Sequence, residues 1–93
     1  MSLRTDGYDD WMAAAHVDVA RAERCVSRAE VPAGTTLRYR VRVGTGGELV
    51  GVAPAGDAHR DFDRCVRRAL SAVQWSPPPG GGRGTVTVAY RLR

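Results

Sequence analysis

The sequence predicts one α+β domain of element order α-β-β-α-β, with a three-stranded antiparallel sheet in the order 2-1-3 and two helices on one face. Three observations predict it. Residues 36–43 alternate strictly between apolar and polar side chains, the period of a half-buried strand. Gly44-Thr45-Gly46-Gly47 follows with the backbone freedom of a hairpin turn. From Phe62 to Val73 apolar residues recur in steps of three and four, the period of an amphipathic helix, until Pro77-Pro78-Pro79 halts the pattern.

Taken in order, residues 1–8 are polar and are expected to be disordered or to come from an artificial junction at Met1-Ser2-Leu3. The domain then spans 9–93 and would be an excised piece of a longer protein. Asp9 or Asp10 suits a helix N-cap, and the acidic pair complements the positive end of a helix dipole. Trp11, Ala15, Val19, Ala22, Cys25, Val26 and Ala29 form a narrow, alanine-rich apolar stripe on a long first helix. The pattern allows a break near His16, and Pro32 and Gly34 end the helix.

In the first strand Leu37, Tyr39, Val41 and Val43 face one way, and Thr36, Arg38, Arg40 and Arg42 the other. Glu48 to Ala53 returns as a second strand, with Val50 and Val52 expected on a shared face. Pro54 and Gly56 close it, and Asp57 or Asp61 caps the second helix, whose inward face carries Phe62, Cys65, Val66, Ala69, Leu70 and Val73. Gly80 to Gly84 is a flexible lead into a third strand, Thr85 to Leu92. There Val86, Val88, Tyr90 and Leu92 point inward, and Thr87, Ala89 and Arg91 outward.

Geometry restricts how these pieces assemble. The hairpin makes the first two strands antiparallel, and a helix of about 12 to 17 residues returns the chain along the sheet at about 1.5 Å per residue. The third strand can then join an antiparallel sheet only beside the first, by a right-handed crossover. Both helices are expected to cover the face of Tyr39, Val41, Val88 and Tyr90. The opposite face stays open with Arg38, Arg40, Arg42 and Arg91.

Composition sets the bounds on function. At 93 residues, 43% hydrophobic and 26% charged, the chain matches an ordinary single globule. All 14 basic residues are arginine, a bias that coding composition explains without reference to function. The net charge of +4 permits anionic partners. No apolar run reaches the length of a membrane span, and the N-terminus lacks the apolar core of a signal peptide. Cys25 and Cys65 can pair or stay as two buried thiols. A metal site made from them with His16 and His59 lacks the usual ligand spacing.

No catalytic constellation is legible, so no enzyme activity, cofactor or metal is expected. His16 reads as a partly exposed helix residue and His59 as a solvated turn residue, and Ser27, Ser71 and Ser76 sit in no nucleophile motif. The glycine runs lack the strand-to-helix setting of a phosphate-binding loop. Two surfaces remain. Arg38, Arg40, Arg42 and Arg91 form a face that is either simply solvated or anion-binding. Nucleic acid is disfavoured there, because Tyr39 and Tyr90, the aromatics that could stack bases, fall on the opposite face. The third strand is expected at the sheet edge. It can accept a partner strand, pair with a second copy, or be protected by Arg91 and Arg93.

These residues resemble a known family. Gly34 to Pro54 is a strand, a glycine turn and a return strand with Gly47, Leu49 and Val52 in the pattern G-x-L-x-x-V. It is similar to the hairpin of the TonB and TolA C-terminal domains. Phe62 to Leu70, followed by Trp75-Ser76-Pro77-Pro78-Pro79, resembles the family's second helix and its aromatic-then-proline tail. With two cysteines the chain is most similar to the AgmX/PglI type found in gliding-motility and other envelope proteins, over residues 17–93. The Tyr-Pro signature upstream in TonB itself is absent.

The resemblance implies a noncatalytic periplasmic module, the C-terminal part of an inner-membrane-anchored, envelope-spanning protein that transmits force or contact. Its partner would be a peptide segment of an envelope or outer-membrane protein, added as a strand along Thr85 to Leu92. The resemblance also implies a bridge at Cys65. In TolA-type domains the partner cysteine starts the first strand, where this chain has Leu37, so a bridge here would use Cys25 and pin helix to helix.

Overall fold

The computed structural model describes residues 2–22, 24–25, 34–56 and 60–91. In chain order these form β1 (Ser2–Asp6), α1 (Asp10–Ala20), β2 (Thr36–Val43), β3 (Leu49–Pro54), α2 (Arg60–Ser71), a 3-10 turn (Pro79–Gly81) and β4 (Gly84–Arg91). The fold is α+β. Its sheet is antiparallel throughout but has four strands, in the order β1-β4-β2-β3, where three were expected.

The correction comes from the N-terminal stretch. Ser2–Asp6, expected to be disordered, pairs antiparallel with β4 from Ser2 opposite Ala89 to Asp6 opposite Thr85. Its only strongly apolar side chain is Leu3, which is partly buried, so main-chain pairing rather than hydrophobic periodicity defines the strand. The remaining order, β4-β2-β3, follows the hairpin and crossover geometry. β4 is therefore an interior strand and not the sheet edge.

β2 is central and the most regular element. Leu37, Tyr39, Val41 and Val43 are buried, and Arg38, Arg40 and Arg42 are exposed. They stand opposite Tyr90, Val88, Val86 and Gly84 of β4, so the inward residues of both strands meet in rows. On the other side the register slips between Arg42 and Val43: Arg42 faces Gly51 and Val43 faces Leu49. Val50 is the extra residue of this bulge and lies exposed, whereas Val52 is buried, so the two do not share a face as expected.

α1 is shorter than the periodicity suggested. Arg21 takes a left-handed conformation (φ 53°) and caps the helix, its N–H reaching the Asp18 carbonyl. Cys25 thus follows α1 rather than riding on it; Val26, Ala29 and Pro32 lie outside the described residues. The helix also presents a different stripe. Ala13 and Val17 are fully buried, while Trp11 and Val19 are 73% and 70% exposed. Ala13/Val17 and Trp11/Ala15/Val19 obey the same period, so spacing does not choose between them. Ala13 and Val17 are the pair in the shared core, small enough for α1 to lie close to its neighbours.

α2 keeps its expected face, with Phe62, Val66 and Leu70 buried and Asp61 and Asp63 in its first turn. Asp61 stands inside the first turn and not at the cap as expected, and Asp57 lies outside the described residues. Phe62, Val66 and Leu70 share one core with Ala13 and Val17 of α1 and the inward residues of β2 and β4. A Cys25–Cys65 disulfide joins the segment after α1 to α2, with Cα atoms 5.8 Å apart.

Two polar contacts orient the helices. The Tyr39 hydroxyl donates to Asp63 Oδ1 at 2.5 Å, tying β2 to α2, and the Trp75 indole N–H donates to the Leu70 carbonyl at 3.0 Å. The second satisfies a carbonyl that the last turn of α2 leaves open. Burial first, and the Asp63 carboxylate second, push the Tyr39 phenol far above its usual range. Tyr8 is raised too, mainly by burial.

The sign follows from linkage. Both phenols stay neutral in the fold at a pH where those of the unfolded chain, with pKa about 10, have ionised. Their stabilisation is complete below that value and is lost as pH rises above it. For Tyr39 the loss should be about 1.4 kcal/mol per pH unit until the folded phenol itself ionises. Urea midpoints from pH 8 to 11.5 check this, and the slope above pH 10 should shrink in Tyr39→Phe.

Candidate functional site

The residues expected to bind a partner lie on β4. Val86, Val88, Ala89 and Tyr90 are buried, Thr85 and Thr87 half-buried, and Arg91 exposed; Leu92 lies outside the described residues. β4 was expected to have one open side, but β1 occupies it from Thr85 to Ala89. The β4 edge expected to take a partner strand is thus filled by the chain's own N-terminal segment. β1 is anchored just beyond its end. The Tyr8 hydroxyl donates to the Ser76 carbonyl at 2.7 Å, and its ring meets Trp75 edge-on at 6.2 Å. Gly84, the first residue of β4, lies under that ring: a Cβ there would stand 2.8 Å from Tyr8 Cδ2.

The second predicted surface is brought together as expected and gains a member. β2 presents Arg38, Arg40 and Arg42 on the sheet face opposite the core, with Arg91 beside them opposite Thr36. β1 adds Arg4, which faces Thr87 from one side as Arg40 faces it from the other. Five arginines therefore share this face, with Asp6 the one acidic residue among the described strand residues on it. Arg4 was missed because its place depends on β1 pairing. The sole hint was the weak alternation of Leu3 and Thr5 against Ser2, Arg4 and Asp6.

His16 has a structural setting that its spacing did not disclose. It is half-buried, with its ring 5.2 Å from that of Trp75. Its Nε2 lies 3.1 Å from the Ser76 hydroxyl and accepts the Ser76 backbone N–H at 3.3 Å. Through these contacts the ring clasps α1 to the segment after α2. His59 lies outside the described residues.

Beside His16 an open, mostly apolar depression of about 440 Å³ is lined by Val19, Ala20, Ala69, Ala72, Val73 and Gln74. Among the described residues there is no cluster of His, Cys, Asp or Glu able to hold a metal ion, and no helix long and apolar enough to cross a membrane. Comparison with known proteins finds no matching family model, no matching curated protein and no matching solved structure.

Proposed function

We propose that this chain is a noncatalytic interaction domain of a TonB/TolA-like envelope-spanning protein, working in the periplasm and taking an extended segment of an envelope or outer-membrane protein alongside β4. The likeness of the hairpin and of the second helix supports the family reading. The observation that carries the mechanism is β1 itself. A five-residue strand with one apolar side chain is held along Thr85 to Ala89 in antiparallel register. An edge that accepts so plain a strand accepts it largely through main-chain hydrogen bonds, the basis of strand addition.

The partner then exchanges with β1 instead of joining a bare edge. Exchange costs little in the ladder, since each hydrogen bond lost to β1 is remade with the incoming strand. What it must overcome is the anchoring of Leu3 and Tyr8. Pairing of two β4 strands from separate copies is open by the same route, once β1 has left in both.

The test uses the whole chain and a synthetic peptide with the sequence of residues 2–8. Leu3→Asp weakens the resident strand by removing its partly buried apolar contact, about 1 to 1.5 kcal/mol. The variant should therefore bind the peptide roughly tenfold more tightly than the unaltered chain. Amide shifts should follow Thr85 to Ala89. Shifts confined to the arginine face, or equal weak binding by both chains, would count against strand exchange.

A further inference from the structure

We propose that the open sheet face is a docking surface for an anionic bilayer, with Arg4, Arg38, Arg40, Arg42 and Arg91 meeting lipid phosphates. This goes beyond the strand-exchange reading and does not depend on it.

Arg38, Arg40 and Arg42 occupy alternate positions of β2, which spaces them about 7 Å apart along the strand. Arg4 and Arg40 flank Thr87 on opposite sides, so they stand about 10 Å apart across two inter-strand spacings. Arg91 lies across from Thr36, two residues before Arg38. The result is a two-dimensional array of guanidinium groups rather than a single row. Each group can bond a phosphate through two parallel N–H donors.

The residues between the arginines are small. Ser2, Thr36, Thr85 and Thr87 offer hydroxyls, and Gly51, Ala53 and Ala89 add no bulk. No aromatic side chain is among the described strand residues of this face, so it has no platform on which single-stranded bases could stack. Nor does any described helix stand on it to enter a duplex groove. A two-dimensional array of phosphate-binding cations fits a two-dimensional array of phosphates, and a lipid headgroup surface is one. Docked this way, the two helices face away from the membrane and β1 stands at the side, where exchange would take Arg4 out of the array but leave Arg38, Arg40, Arg42 and Arg91 in place.

The experiment is vesicle co-sedimentation of the whole chain. It compares pure phosphatidylcholine with phosphatidylcholine containing about a third phosphatidylglycerol, at low salt and at about 0.5 M salt, where exposed charges are screened. The chain should bind only the anionic vesicles and should leave them at high salt. Each cation near an anionic surface contributes about fivefold to partition. Arg4→Gln should therefore weaken binding about fivefold, and Arg38→Gln/Arg40→Gln/Arg42→Gln together roughly a hundredfold. Asp6→Asn should strengthen it. All five altered side chains are exposed, and circular dichroism checks that each variant keeps the fold.

Four results would overturn the proposal: no binding to anionic vesicles, equal binding to neutral ones, a triple variant that binds like the unaltered chain, or displacement from vesicles by a duplex oligonucleotide at equal or lower phosphate concentration. The last would reassign the face to nucleic acid. None of them bears on peptide binding along β4, and loss of peptide binding would leave vesicle binding untouched.

Discussion

Trp75→Ala is expected to lower the unfolding free energy by about 4 kcal/mol, the range for emptying a buried indole site. The residue is 4% exposed and sits where four other parts of the chain converge. Its indole N–H closes the end of α2 at Leu70, and its ring meets Tyr8 after β1 and His16 on α1. Its carbonyl lies under the hairpin, 2.5 Å from where a Cβ on Gly47 would be, at a φ of +89° that already favours glycine. The adjoining Ser76 holds the Tyr8 hydroxyl and the His16 ring. Removing the ring leaves a cavity whose walls belong to different elements and cannot all move in to fill it.

A small domain has only about 5 to 15 kcal/mol of stability to lose, so Trp75→Ala should be largely unfolded in mild denaturant. Urea unfolding followed by far-ultraviolet circular dichroism measures this without relying on the deleted fluorophore. Trp75→Phe, which keeps most of the packing but drops the bond to Leu70, should cost less. A Trp75→Ala variant within about 1 kcal/mol of the unaltered chain would refute a central role, since even an average substitution costs that much.

Reduction of the Cys25–Cys65 bridge should cost a similar amount by a different route. The bridge closes a loop of sequence separation 40, for which the chain-entropy relation gives about 4 kcal/mol. Most of this acts on the unfolded chain, which gains freedom when the link is cut. Reduction should therefore lower the urea midpoint and also raise the denaturant slope, because the reduced unfolded chain expands and exposes more surface. Trp75→Ala should move the midpoint with little change in slope. An unchanged midpoint after full reduction would show that the unfolded chain is already constrained near this closure.

These two effects separate what the chain announces from what it conceals. β2 could be read because one face of every second residue is apolar and the other carries arginine, and such alternation survives only where one side is buried. α2 could be read for the same reason at helical period. The neighbours of β2 then followed, because a hairpin and a helical crossover leave one consistent arrangement for β4. Tyr8 and His16 gave no such signal. Each joins the core through long-range contacts with Trp75 and Ser76, and such contacts leave no period in a sequence.

Strand β1 marks the limit most clearly. Ser2–Asp6 has one strongly apolar residue, and what makes it a strand is a ladder of backbone hydrogen bonds with residues more than 78 positions away. Backbone groups are alike in every residue, so no side-chain pattern records them. The face of α1 was hidden for a related reason: in an alanine-rich helix two stripes are equally apolar, and close packing with its neighbours chooses between them. The sequence by itself determined the types of α1, β2, β3, α2 and β4 and the order β4-β2-β3, because burial imprints a period on side chains. Tertiary structure alone decided that β4 lies inside the sheet and that Arg4 completes the cationic face, because main-chain pairing imprints none.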